Sequence, residues 1–299
     1  MAIPAIQSYA LPAAAELPAN RVAWQVAPAR AVLLIHDMQR YFLDKYALDQ
    51  HNESVEPIPA VVRHLAALIA TARRAGVPVV YTAQPVEQPE ADRALLNDFW
   101  GPGLPGSPEG YPIIDALAPA EGDLVLTKWR YSAFQRSDLR ERMRQWGRDQ
   151  LIIGGVYAHI GCLATALEGF MQDVQCFLLA DGVADFSRAR HDMALEYVAS
   201  RCGVTTTVRT VSDALEETGE AAVVTQSALI AQVAALAGVD EAEIPVDDNL
   251  LFYGLDSMRM MTLVEALRRQ GHEVGFMDLA EAPTITDWLS LLNRQGVSA

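Results

Sequence analysis

Positive charge is scarce in this chain: 23 Lys and Arg stand against 38 Asp and Glu, for a formal net charge of −15. Nucleic acid and anionic membrane are gripped by basic patches that neutralise phosphate, so neither is an expected partner. Cysteine is scarcer still. Cys162, Cys176 and Cys202 are the whole set, with neither metal-ligand spacing nor the numbers for a disulfide framework, which suits a reducing compartment. No apolar run is long enough to span a bilayer. Residues 1–18 carry no charge before Glu16 and are broken by Pro4 and Pro12; lacking a basic start, they are not expected to be a signal peptide, and a cytoplasmic location is expected. What the chain has is length and apolar content, 299 residues of which 51% are hydrophobic. That suffices for a large core and about two domains.

The stretch around which the rest is arranged is LIIGGVYAHIGCLATALEGF, residues 151–170. Leu151, Ile152 and Ile153 read as a strand that stops at Gly154 and Gly155; Ile160, Leu163, Ala164, Leu167 and Phe170 then recur at helical spacing. In an open parallel sheet such a turn lies at the carboxyl end of a strand, where ligands bind and free helix-opening amides favour an anion. An ordinary βα connection shows the same pattern. Upstream, the Pro- and Ala-rich segment to Val26 reads as an extended arm over the domain surface. AVLLI at 31–35 is a continuous apolar run, as in a strand buried on both faces, and ends in His36 and Asp37. A helix over 61–72, closed by Gly76, leads to a second strand over 77–81. Residues 82–110 carry the Pro and Gly of a long loop around one helical piece at 91–99; loops of that length are usually functional or disordered. Strands over 124–126, 176–179 and 204–208, with helices over 138–146 and 189–200, complete a doubly wound six-stranded parallel sheet of the α/β class. Asp37, Lys128 and the turn at 157–161 then all lie past carboxyl ends of strands, in one crevice.

SDALEETGEAA at 212–222 is acidic and rich in small residues, a linker or the tail of the first domain. Helical segments follow at 227–237, 258–269, around Asp278 and at 286–292, with Thr284 placed to cap the last. They predict a second, small all-α four-helix domain. The division expected is a first domain over 1–214, a linker over 215–224 and a second domain over 225–299. Between the first two of these helices lies NLLFYGLDSMRMM, residues 249–261. It resembles the attachment motif of carrier proteins in nonribosomal peptide synthesis, in which the serine of a Gly-x-Asp-Ser turn bears 4′-phosphopantetheine. The serine here is Ser257. At a helix start its hydroxyl can point outward, and the amide dipoles favour a phosphodiester; a plain helix cap by Asp256 or Ser257 is the structural alternative.

The first domain resembles the isochorismatase family of the cysteine-hydrolase fold. The likeness is carried by IHDMQRYF at 35–42, YTAQP at 81–85, LLNDFWGPG at 95–103, TKWRYSAF at 127–134, GVYAHIGC at 155–162 and ADFS at 184–187. The whole chain is similar to bifunctional isochorismatase and aryl carrier proteins of catechol siderophore pathways. Thiol hydrolases of this fold use an Asp, a Lys and a Cys; the resemblance puts Asp37 and Lys128 in the first two places and Gly161 in the third. Without a nucleophile no acyl-enzyme forms, so amide hydrolysis is disfavoured. Cys162 comes one residue late and would point elsewhere. The family implies instead acid hydrolysis of the vinyl ether of isochorismate to pyruvate and 2,3-dihydro-2,3-dihydroxybenzoate, without metal or redox cofactor.

On that reading Asp37 is the acid, and must hold a proton well above its reference pKa of about 3.9. Lys128 pulls the other way. Phe42, Trp100 and Phe134 are candidate apolar walls. The resemblance assigns substrate contacts to Gln84, Arg93 and Lys128 and to the backbone at Tyr157 and Gly161, all suited to an anionic diacid, and implies a cis peptide between Val156 and Tyr157. His36, His159, Asp181 and Asp185 read as structural residues of turns and strand ends. Met258, Met260 and Met261 read as core, or as the apolar surface by which a carrier helix meets partners. Implied partners are isochorismate, an aryl-acid adenylating enzyme, a phosphopantetheinyl transferase and a condensation domain, and a homo-oligomer is expected. The adenylating enzyme chooses whether 2,3-dihydroxybenzoate or salicylate is loaded. A carrier scaffold with an inactive hydrolase domain is the alternative; the presence of Asp37, Gln84, Arg93 and Lys128 favours the enzyme.

Overall fold

The computed structural model describes residues 3, 6–46, 56–103, 108–216, 224–269, 272 and 274–294. The chain forms two units, one of Met1–Val26 and Arg30–Leu215, the other of Glu216–Ala299 with Ala27–Ala29. In the first, apolar runs covered on both faces make the strands. These are β1 (Ala31–His36), β2 (Val79–Ala83), β3 (Leu124–Thr127), β4 (Gln150–Val156), β5 (Gln175–Ala184) and β6 (Gly203–Thr206). They form one six-stranded sheet in the order β3-β2-β1-β4-β5-β6, every neighbouring pair parallel. The helices of this unit are α1 (Arg40–Leu43), α2 (Ile58–Arg74), α3 (Glu90–Arg93), α4 (Leu96–Trp100), α5 (Leu139–Gln145), α6 (Leu163–Met171), α7 (Arg188–Arg201) and α8 (Val208–Glu216). Side chains alternate along β1. Leu33 and Ile35 join a core with Leu65, Leu68 and Tyr81, while Val32 and Leu34 join another with Leu151, Ile153 and Leu178. The strand order reverses between β1 and β4, the switch point at which a doubly wound sheet opens a crevice.

Several elements differ from the sequence pattern, each for a packing reason. β4 does not stop at Gly154 but runs on to Val156, with its register against β5 shifting between Ile153 and Gly155. Gly155 has a φ of +117°, and a Cβ there would lie 2.1 Å from the His36 carbonyl oxygen; the glycine permits close approach of two strands rather than ending one. β5 continues through Asp181 and Gly182, so Asp181 lies within the strand and only Asp185 at its end. α6 buries Thr165, Ala166 and Gly169, whereas Phe170, from the apolar stripe, is exposed. Small residues let this helix lie against the sheet: a Cβ on Gly169 would lie 2.6 Å from Cys176 Sγ. The helical piece at 91–99 is two helices, α3 and α4, broken at Ala94 with φ +47°. The last strand ends at Thr206, and residues 212–216 are helical, with Leu215 in the core. Of the expected linker, 217–223 lies outside the described residues. The N-terminal arm is extended over the domain surface as expected and is pinned there at Ile6, which is buried and bridges to Tyr46.

Among its described residues the second unit holds four α-helices, α9 (Gln226–Ala237), α10 (Ser257–Arg269), α11 (Phe276–Ala280) and α12 (Ile285–Arg294). Thr225 Oγ1 accepts from Ala228 N at the start of α9, and Gly238 closes it in the left-handed region at φ +74°. Thr284 Oγ1 accepts from Asp287 N at 3.1 Å, capping α12 as its position predicts. The core gathers Leu229, Val233, Leu263, Leu267, Ile285 and Trp288; the indole Nε1 of Trp288 donates to Leu279 O at 2.9 Å. Met260 is buried in that core, but Met258 and Met261 are exposed. Among the described residues no helix is long and apolar enough to cross a membrane.

Candidate active site

Each of four strands delivers a candidate residue at the same level, immediately past its carboxyl end: Asp37 after β1, Gln84 after β2, Lys128 after β3 and Tyr157 after β4. One cavity brings these together with Phe42, Arg93, Trp100 and Gly161. Phe134 is not among its walls. It is buried in the core that includes Val32 and Leu34, because the side of the sheet it meets depends on packing that its local sequence does not show. Tyr41, Trp129, Tyr131 and Phe186 supply aromatic walls that were not singled out from sequence.

Asp37 adopts φ +51°, in the left-handed region that aspartate enters more readily than most residues. Its amide donates to Thr82 Oγ1 at 3.1 Å; the Thr82 hydroxyl donates to Asp37 Oδ1 at 2.6 Å. Lys128 Nζ donates to Oδ2 at 2.8 Å. Both carboxylate oxygens are therefore engaged. Burial pushes the Asp37 carboxyl up, but the Lys128 ammonium and the Thr82 hydroxyl outweigh it and hold its pKa below the ordinary value. In the free protein this group is a carboxylate. Thr82 had no signal in its own neighbourhood. It comes into place because β1 and β2 pair with His36 opposite Thr82.

The rest of the cavity is held by side chains that fix backbone. Gln39 Oε1 accepts from Gln84 N at 2.8 Å, and its Nε2 donates to Gln84 O at 3.0 Å and Tyr111 O at 2.6 Å. The buried Arg93 guanidinium donates to Gln88 Oε1 at 2.5 Å, Gly101 O at 2.9 Å and Asn97 Oδ1 at 3.2 Å. That engages three of its five N–H donors among the described residues. Trp100 Nε1 donates to Tyr131 Oη at 2.7 Å, tying α4 to the segment after β3.

On the other side of the cavity the Val156–Tyr157 peptide is cis, as the resemblance implies. Tyr157 Oη donates to Phe42 O at 2.8 Å. Asp185 secures the following turn: its Oδ2 accepts from His159 N at 2.6 Å, and its Oδ1 lies 2.5 Å from His159 Nδ1 and accepts from Phe186 N at 2.7 Å. His159 and Asp185 thus hold structure, and neither lines the cavity. His36 does line it. Its ring Nδ1 is 2.7 Å from Val156 O, and burial lowers its pKa to about 4, so the imidazole is neutral and donates through Nδ1. Cys162 is buried in the other core. Burial raises its thiol pKa well above the ordinary value, so it is no thiolate nucleophile.

In the second unit Ser257 is exposed at the first position of α10. Asp256 Oδ1 accepts from Arg259 N at 2.9 Å. The aspartate therefore does the capping, and the serine is not needed for it. Gly254, at φ +92°, ends the short turn Leu250–Tyr253 before this helix. Phe252 and Met258 stand exposed on either side of the serine in sequence.

Comparison with known proteins agrees with both halves. The family described as isochorismatase domain matches residues 31–210, and the family described as phosphopantetheine attachment site matches residues 227–292. A protein named isochorismatase from Bacillus subtilis (strain 168) is 50% identical, over 99% of this chain and 96% of its own length. Enterobactin synthase component B of Escherichia coli (strain K12) is 47% identical over 99% of both chains. Among solved structures, a cysteine hydrolase from Pseudomonas syringae pv. phaseolicola 1448A superposes with a TM-score of 0.59 at 25% identity, over 67% of this chain and 98% of that one. With its first domain matched across the whole sheet and relatives running nearly end to end, this chain belongs to the isochorismatase family, fused to a phosphopantetheine carrier domain.

Proposed function

We propose that the first unit hydrolyses the vinyl ether of isochorismate to pyruvate and 2,3-dihydro-2,3-dihydroxybenzoate, and that the second carries an aryl acid in nonribosomal siderophore synthesis. The observation that carries the hydrolase reading is the buried Asp37–Lys128 pair, at 2.8 Å, in a cavity whose position 161 offers no side chain. Lys128 and Arg93 meet the two carboxylates of the substrate. Drawing the ammonium from Asp37 and setting two negative charges nearby raises the proton affinity of its carboxyl, and Asp37 takes up a proton as substrate binds. It delivers that proton to the terminal CH2 carbon of the enolpyruvyl group while the ether oxygen donates an electron pair, giving an oxocarbenium ion. Water adds to the cationic carbon and returns a proton to Asp37. The hemiketal then collapses: its hydroxyl becomes the ketone of pyruvate, the bond to the ring oxygen breaks, and that oxygen takes the proton. General acid catalysis of this kind contributes about 10²–10⁴-fold.

For the carrier, the exposed Ser257, relieved of capping by Asp256, is the attachment point. The helix amides behind it favour the phosphodiester. Bound there, phosphopantetheine supplies a thiol on a flexible arm, to which an aryl acid is held as a thioester. Residues 1–214 and 225–299 serve as separately folding modules of a cytoplasmic protein, the second visiting a phosphopantetheinyl transferase, an aryl-acid adenylating enzyme and a condensation domain. The test is to supply purified protein with isochorismate and follow pyruvate with lactate dehydrogenase and NADH. Pyruvate release is expected. None, from a chain whose carrier loads normally, would leave the inactive-hydrolase scaffold standing instead.

A further inference from the structure

We propose that His36 is a specificity-determining residue whose imidazole fills the volume a side chain at position 161 would need, and so bars a covalent nucleophile from the site. A Cβ built on Gly161 would lie 2.1 Å from His36 Cε1, 2.7 Å from Nε2 and 3.1 Å from Nδ1. Non-bonded carbons sit at about 3.5–4.0 Å, so even a methyl group cannot share this space with the ring. Backbone conformation does not demand glycine there. Gly161 is absent from the glycines with positive φ and lies in the helical turn Ala158–Cys162, a backbone that any L residue adopts.

The ring cannot simply retreat. His36 is fully buried, and its Nδ1–H donates to Val156 O at 2.7 Å. Its backbone is paired on both sides, with Thr82 of β2 and Gly155 of β4. The Gly155 side is so close that a Cβ there would lie 2.8 Å from His36 N. Two glycines of GGVYAHIG thus answer to one histidine, Gly155 to its backbone and Gly161 to its ring. A thiol at 161 would share the cavity with Asp37 and Lys128, where a nearby ammonium favours the thiolate and makes it a nucleophile. With the imidazole in place that chemistry has no room. The exclusion is steric and holds whichever substrate the cavity takes.

The test is a double-mutant cycle in the full-length chain. Gly161→Ala should lower the Tm of the hydrolase domain by about 5 °C or more, as overpacking of a fixed core does. In the His36→Ala background the same change should cost less than half as much. His36→Asn, which keeps a donor for Val156 O on a shorter side chain, provides a second background should the alanine variant fold poorly. In parallel, the pair His36→Asn with Gly161→Cys should react with iodoacetamide at position 161, by peptide mapping, at least tenfold faster than Gly161→Cys alone. The native cysteines are buried and add little signal. Equal Tm losses in all backgrounds would overturn the proposal. So would a Gly161→Cys variant that keeps His36, melts like the parent and alkylates as fast as the pair, or relief of Gly161→Ala in neither background.

Discussion

Replacing Asp37 by asparagine should cost stability as well as activity, and the two losses can be separated. The amide has the volume of the carboxylate, and its oxygen can still accept from Thr82. Its NH2 then replaces Oδ2, which in the native pair accepts from Lys128 Nζ at 2.8 Å. Two donors face each other where the Asp37 and Lys128 side chains are only 8% and 5% exposed. Removing one partner of a buried ion pair costs about 3–5 kcal/mol. At about 2–4 °C per kcal/mol for a domain of this size, the hydrolase Tm should fall by roughly 6–20 °C. Pyruvate release should fall by at least about 10²-fold, measured below the lowered Tm with folding checked by circular dichroism. Combining Asp37→Asn with Lys128→Gln replaces the facing donors by a neutral amide pair that can hydrogen-bond, so most of the lost Tm should return while activity does not. Activity of Asp37→Asn within tenfold of the parent would refute the acid assignment. An unchanged Tm would refute the account of the buried charge.

Thr82→Val keeps the volume and deletes the donor to Asp37 Oδ1; the Asp37 pKa should rise, moving the alkaline limb of the kcat/KM profile to higher pH, and an unmoved limb would contradict the role given to Thr82. His36 titrates at about 4 in the fold against an ordinary 6.5. Between those values the unfolded chain binds a proton that the folded chain refuses, so stability should fall as pH drops from 6.5 to 4, by about 3 kcal/mol in all. His191, also lowered by burial, acts in the same direction, so the readout is the difference in urea unfolding between parent and His36→Asn; parallel curves would exclude the His36 contribution. Ser257→Ala should abolish phosphopantetheine attachment, read by mass spectrometry, and leave pyruvate release unchanged. Strongly slowed hydrolysis would place the serine turn in the hydrolase site.

The class of fold was legible because its signal is local. Continuous apolar runs such as AVLLI, alternating with helical spacing, require strands covered on both faces, and a polar residue ending such a run, as Asp37 does, marks a strand end, although β5 carries on past Asp181. That placed Asp37, Lys128 and Tyr157 near one another, and the Gly-Leu-Asp-Ser turn placed Ser257 at a helix start. Other features depend on neighbours distant in sequence. Thr82 reaches Asp37 only because β2 lies beside β1 in register. Phe134 points into the core rather than the cavity, and α6 buries Thr165, Ala166 and Gly169 while Leu163 and Leu167 of its apolar stripe are covered only in part, because a helix settles by the closest packing available to it. The glycines after Ile153 read as a stop, yet Gly155 and Gly161 make room for His36. The charge state of Asp37 was beyond any reading of sequence: it turns on a 2.8 Å contact between residues 91 apart in the chain, and Coulomb energy in a buried site varies with distance and surrounding dielectric, both of which exist only once the chain has folded.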